Sequence, residues 1–230
     1  MNVLLNGCSF LDSYHYREHF KELLDAAVTN IAKPGSSNRR IIRTTVDYCE
    51  IAKPDFVVIG LTFYDRQEGP FLVDAKPREG RWVSYNSQGL QGTFISNEDP
   101  VRDATYRQID DYTKSRYRYD INEQYLDQLY LDIKMLTAWL TQRGIGYCIF
   151  NTCDRHHTAT FDDPGIMPLD FIGNVFLAEN GCTHFEKDNE LPLNARHYPG
   201  EDVILLVAHL VEYIQRNNLI DRPNVQMSLL

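Results

Sequence analysis

No apolar run in the chain approaches the roughly 18 residues a membrane-crossing helix needs, so no transmembrane segment and no membrane partner are expected. Basic residues are also short, 23 Lys and Arg against 32 Asp and Glu, for a net charge of −9. A surface of that sign repels phosphate backbones, which argues against a nucleic-acid partner. The opening Met1-Asn2-Val3-Leu4-Leu5-Asn6-Gly7 lacks the basic start and long apolar stretch of a secretion signal. Cysteine is sparse and odd in number: Cys8, Cys49, Cys148, Cys153 and Cys182 have no compact framework spacing. That fits reduced thiols and a cytoplasmic location better than a set of bridges. No internal repeat or low-complexity tract is present. What remains is a globular composition, 43% hydrophobic and 24% charged over 230 residues, enough for one sizeable domain without disulfides.

The hydrophobic pattern alternates between strand and helix. Val3-Leu4-Leu5 ends at Asn6-Gly7, and from Asp12 the positions Tyr16, His19 or Phe20, Leu23, Leu24 and Ala27 follow at near-helical spacing. Val28 to Ala32 predicts a second strand, and Pro34-Gly35-Ser36-Ser37 breaks the chain and offers serine caps. Ile41, Ile42, Thr45, Val46 and Cys49 predict a helix closed by Lys53-Pro54. The continuous run Phe56-Val57-Val58-Ile59-Gly60-Leu61 predicts a strand buried on both faces of a parallel sheet. Residues 65–119 interrupt this rhythm and read as an irregular insertion or lid. Its aromatic residues, among them Trp82 and Tyr85, alternate with arginines such as Arg102 and Arg107, a mixture suited to packing and surface charge pairing. A helix from an Asp120 cap to Gly144, a strand over Ile145 to Phe150, a helix around Leu169 to Glu179 and a last helix through Val203, Val207, Leu210, Val211 and Ile214 complete the pattern. The expectation is a single α/β domain over residues 1–230 with a mostly parallel sheet.

In an open α/β sheet, binding groups collect beyond the carboxyl ends of the strands, which here gathers Ser9, Gly35, Thr62 and Asn151. Ser9 lies at a strand-to-helix turn, where an exposed Oγ acts as a nucleophile if a base reaches it. His197, in a loop before the last helix, is the candidate base.

Four blocks in this order resemble the SGNH (GDSL-like) hydrolase superfamily: Asn6-Gly7-Cys8-Ser9-Phe10, Pro34-Gly35-Ser36-Ser37-Asn38, Gly60-Leu61-Thr62 and Asn194-Ala195-Arg196-His197. The Gly-Cys-Ser-Phe form of the first block is similar to that of short phage and bacterial members. The resemblance implies a three-layer α/β/α sandwich with a flavodoxin-like sheet and a serine hydrolase that needs no cofactor. The substrate class it implies is an ester, such as an O-acyl group on a carbohydrate or a similar small molecule. Ser9 would be the nucleophile, His197 the base, and Gly35, with Asn38 or Thr62, the oxyanion hole. The chain departs from the family at three places, with Cys8 where Asp is usual, Thr62 where an Asn amide is usual, and Asn194 where Asp orients the histidine. Asn194, a main-chain carbonyl or Glu190 would then orient His197. The departures keep open a pocket that binds without cleaving, and an acyltransferase on the same serine.

Two metal patterns stand beside this reading. His15-Tyr16-Arg17-Glu18-His19 matches the H-x-x-E-H string of zinc peptidases, with no third ligand in evident spacing. Cys153, His156, Cys182 and His184 supply a thiolate and imidazole set of irregular spacing.

Overall fold

The computed structural model describes residues 1–12, 14–64, 66–71, 81–86, 89–90, 107–108, 110–112, 114–115, 122–152, 161–167 and 200–220. Its centre is a parallel sheet of β1 (Asn2–Asn6), β2 (Ala27–Asn30), β3 (Phe56–Leu61) and, after the insertion, β7 (Gly146–Asn151), in the order β2-β1-β3-β7. The ladders run Val3↔Val28, Val3↔Phe56 and Phe56↔Gly146. Among the described residues, α1 (Tyr14–Leu24), α2 (Asn38–Ala52) and α3 (Asn122–Gln142) lie between strands, and α4 (Gly200–Arg216) follows β7.

Alternation along the strands divides the core into two layers. Val3 and Leu5, Phe56 and Val58, and Cys148 and Phe150 join Tyr16 and Phe20 of α1 and Val203, Val207, Leu210 and Ile214 of α4 on one face. Leu4, Val57, Ile59 and Ile149 meet Ile41 and Cys49 of α2 and Leu129, Ile133, Leu136 and Leu140 of α3 on the other. Every residue of β3 is buried, as its unbroken apolar run requires, whereas β2 alternates between exposed and half-buried positions because it is an edge. The result is a three-layer α/β/α sandwich whose order matches the first strands of a flavodoxin-like sheet. The chain steps from β1 outward to β2 and returns past β1 to β3, so the direction of winding reverses between β1 and β3. The crevice of such a sheet opens at that reversal, beyond the carboxyl ends of these two strands.

Helix boundaries follow local chemistry. Ser37, extended at ψ 163°, caps α2 by accepting from Arg40 N–H, and Lys53 closes it in the left-handed region at φ 46°. Gly144 at φ 69° ends α3, with Ile145 N–H donating to Leu140 C=O and Gly144 N–H to Thr141 C=O. That is the paired bonding of a Schellman motif. Asp25, at φ 46°, ends α1 at Leu24, so Ala26 N–H reaches back to Lys21 C=O and the second strand starts at Ala27, one residue before Val28.

Within 65–119 the structure describes an antiparallel sheet of β4 (Gln67–Phe71), β5 (Arg81–Asn86) and β6 (Gly89–Leu90), in that order. Gly69 and Pro70 break the strand signal in sequence, yet β4 is an edge, where a residue without an N–H is tolerated. The Asp120 cap and the helix expected at Leu169 to Glu179 lie outside the described residues.

Glycine decides how closely β1 and β3 approach. A Cβ on Gly60 would stand 2.5 Å from Leu11 Cδ1 and 2.8 Å from Thr152 Cγ2, and one on Gly7 would stand 3.1 Å from Gly60 O. Gly60→Ala must therefore push on Leu11, which is fully buried two residues after Ser9. A loss of about 1–3 kcal/mol is expected from such overpacking, measured by urea unfolding; an unchanged midpoint would mean that the loop yields freely.

Cys8, Cys49 and Cys148 are buried free thiols. Burial, with a smaller push from Glu50 opposed by Arg143, raises Cys49 from 9.0 to about 11, and burial raises Cys148 further. As pH climbs from 9 to 11 the unfolded chain releases the Cys49 proton that the folded chain keeps, so stability falls across that window. At neutral pH a disulfide reagent should titrate no more than two of the five thiols, Cys153 and Cys182, before denaturant is added, and all five after it. A third fast thiol would contradict the packing of these cores.

Candidate active site

Beyond β1 the chain turns sharply, with Leu11 N–H donating to Cys8 C=O at 3.0 Å, and Ser9 and Phe10 occupy the centre of the turn. Asn6 holds the start of this turn. Fully buried, it donates from Nδ2 to Ile41 C=O at 2.8 Å and to the hydroxyls of Thr44 and Thr45, while its Oδ1 accepts from Gly7 N–H at 2.9 Å. Asn30, at the end of β2, holds the other side by donating to Leu11 C=O at 2.8 Å. Ser9 is half-buried, and its Oγ makes no hydrogen bond to a described residue. Cys8 points inward, with Sγ 3.9 Å from Thr152 Oγ1.

The second turn lies beside the first. Gly7 C=O accepts from Lys33 N–H at 3.2 Å, two residues before Ser9 and two before Gly35 respectively. Ser36 N–H then donates to Lys33 C=O, with Pro34 and Gly35 at the central positions and Gly35 at φ 75°. That is the signature of a type II turn, in which the positive φ favours glycine. Among the described residues no acceptor takes the N–H of Ser9 or the N–H of Gly35.

The third turn is clipped to α2. Asn38 Oδ1 accepts from Thr62 N–H at 2.7 Å, and its Nδ2 donates to Thr62 C=O at 2.9 Å and to Phe63 C=O at 3.4 Å. Both ends of the Asn38 amide are thus engaged by main chain. Thr62 is fully buried, and its Oγ1 accepts from Arg66 Nη1 at 3.1 Å. Asn151 is buried at the end of β7, and Thr152 beyond it donates to Leu61 C=O.

Of the residues expected at the site, Ser9, Gly35 and Thr62 lie in the turns that follow β1, β2 and β3, Asn38 opens α2 against the Thr62 turn, and Asn151 ends β7, all at the carboxyl edge of the sheet. His197, Asn194 and Glu190 lie outside the described residues, as do Cys153, His156, Cys182 and His184. His15 and His19 stack at 6.3 Å on α1, but among the described residues no group of three His, Cys, Asp or Glu side chains is arranged to hold a metal. The H-x-x-E-H string is therefore a feature of one helix face, because α1 brings no further ligand to it. Sequence reading missed Asn6, Asn30 and Arg66. The first two carry one usable signal, an amide side chain at the last position of a strand, whereas Arg66 sits in the segment read as insertion.

No family model and no curated protein matches the chain. Among solved structures it is similar to the psychrotrophic esterase EstA from Pseudoalteromonas sp., at 10% identity, 94% of this chain and 97% of that one, with a TM-score of 0.49. It is also similar to a catalytic mutant of the acetylxylan esterase Axe2 from Geobacillus stearothermophilus, at 15% identity, 98% of this chain and 96% of that one, with a TM-score of 0.45. At such identity and superposition, the functional reading rests on the chain's own turns. Among the described residues no helix is long and apolar enough to cross a membrane.

Proposed function

We propose that the chain is a serine ester hydrolase of the SGNH type, one domain over 1–230, acting on an O-acyl group of a carbohydrate or a comparable small ester. The observation that carries this reading is the pairing of the first two turns. A serine hydroxyl stands in a turn tied by Gly7 and Lys33 to that of Gly35, and among the described residues neither this hydroxyl nor the N–H of Ser9 or of Gly35 has a hydrogen-bond partner.

Ser9 Oγ attacks the ester carbonyl, and the N–H groups of Ser9 and Gly35 receive the developing oxyanion. His197 takes the serine proton and returns it to the leaving alcohol, Asn194 orients the imidazole through its amide oxygen, and water then releases the acyl group. Asn38 acts as a positioning residue, holding Thr62 against the start of α2. The topology supports His197 as the base. A Cβ on Gly146, at the start of β7, would stand 2.9 Å from Leu219 O, just past the end of α4. The end of α4 therefore lies at the amino edge of the sheet, and its first turn faces the carboxyl edge. His197 is three chain steps before Gly200, which limits its Cα to about 11 Å from the start of that helix.

The test is reaction with a fluorophosphonate ester followed by intact mass. A single adduct is expected on the wild-type chain, forming far more slowly in His197→Ala. A folded wild-type chain that takes up no reagent would end the hydrolase reading in favour of a binding pocket, a result that Asn194 in place of Asp would explain through the missing charge.

A further inference from the structure

Three arginines stand around the start of α2 and the turn after β3, and they differ in what neutralises them. Arg43 has a full partner: its Nε and Nη2 meet the two oxygens of Glu68 at 3.2 and 3.1 Å, and the Glu68 side chain is only 3% exposed. Arg40 and Arg66 have no carboxylate within salt-bridge distance among the described residues, although both are half-buried.

Their guanidinium groups converge on one residue. Arg40 Nη1 donates to Ser36 Oγ at 2.7 Å, and Arg66 Nη1 donates to Ser36 C=O at 3.3 Å as well as to Thr62 Oγ1. The Arg66 guanidinium lies over the Phe63 ring at 5.4 Å, and its Nε is buried without a hydrogen-bond partner. Burial, and then the charge of Arg43, lowers the pKa of Arg40, and Glu68 offsets this only in part. Two cations thus stand next to Gly35 with no carboxylate paired to them among the described residues. An orphaned donor on a charged group is costly unless an acceptor arrives from outside.

We infer that Arg40 and Arg66 form an anion subsite bordering the Gly35 turn, so that the ester taken by this site carries a carboxylate or phosphate near its reacting carbonyl. The fork of a guanidinium suits the paired oxygens of either group. The placement beside a reacting ester rests on the hydrolase reading, whereas anion binding itself does not, and the two are tested separately.

Binding is read in Ser9→Ala, which has no turnover to confuse it. Inorganic phosphate and succinate, each compared with sodium chloride at equal ionic strength, should raise its melting temperature, as any ligand of the native state does. The rise should vanish when Arg66→Gln or Arg40→Gln is added and survive in part with Arg66→Lys, which keeps the charge. Circular dichroism establishes that each variant is folded. A response to phosphate alone would assign the subsite to phosphate esters, and a response to succinate alone to carboxylates. No rise beyond sodium chloride, or a rise that both glutamine variants keep, overturns the subsite.

Turnover is read as the ratio of kcat/KM for 4-acetoxybenzoate to that for its neutral methyl ester. The ratio should fall about tenfold in Arg66→Gln, the scale of one charged hydrogen bond. Hydrolysis of both esters with an arginine-independent ratio overturns the subsite and leaves the hydrolase standing. Arginine-dependent anion binding with neither ester cleaved upholds the subsite and ends the hydrolase.

Discussion

Ser9→Ala is expected to lose ester hydrolysis by about 10⁴- to 10⁶-fold in kcat, the scale on which removal of a serine nucleophile or its partners acts. It should also lose the fluorophosphonate adduct. The same change should leave stability nearly untouched. Ser9 is half-buried and its Oγ makes no hydrogen bond to a described residue, so its removal orphans no described partner. A surface-type change of this kind stays within about 0.5 kcal/mol. The combination is diagnostic, because a serine that merely shaped the turn would show the opposite pattern, with a lower midpoint and retained reactivity. Ser36 and Ser37 are the natural controls. Both are buried, one receiving Arg40 and the other capping α2, and alanine at Ser37 should cost about 1 kcal/mol as a lost helix cap. Intact mass and peptide mapping decide the matter: an adduct that persists in Ser9→Ala would move the nucleophile elsewhere.

Asn38→Ala is expected to destabilise the chain by about 2–4 kcal/mol, since it leaves both the N–H and the C=O of buried Thr62 without the amide that now pairs them. For a chain of this size that corresponds to a fall on the order of 5–15 °C in melting temperature. Asn38→Asp should recover part of the loss, because a carboxylate still accepts from Thr62 N–H but no longer donates to Thr62 C=O. Activity should fall with it, as the crevice between β1 and β3 loses its fixed wall. Differential scanning calorimetry separates this positioning role from a direct one. If the Asn38→Ala midpoint matches wild type while turnover collapses, the amide acts on substrate instead.

Much of the architecture was legible in the residues. The unbroken apolar run of β3, the serines before α2, Gly144 after α3 and the one-face spacing of α4 each follow from local rules of burial, capping and backbone freedom, and those rules act within a few residues. The positions of Ser9, Gly35 and Thr62 were legible for the same reason, since each follows a strand. Position alone did not reveal bonding. Asn38 had the chemistry of an oxyanion donor, and only the fold showed its amide facing the main chain of Thr62, 24 residues away. Asn6 looked like a turn residue, but the packing of α2 on β1 makes it a tie to three residues 35 to 39 positions away.

The sequence by itself determined the alternating α/β order, the net negative charge and the succession of small-residue turns, because hydrophobic period and turn chemistry are local properties. Only the tertiary structure decided that β1 and β3 are neighbours, that the Ser9 and Gly35 turns share a hydrogen bond, and that Arg43 pairs with Glu68 while Arg40 and Arg66 pair with no carboxylate among the described residues. Those are long-range pairings, and which partners meet depends on how the sheet winds rather than on any residue's own preference.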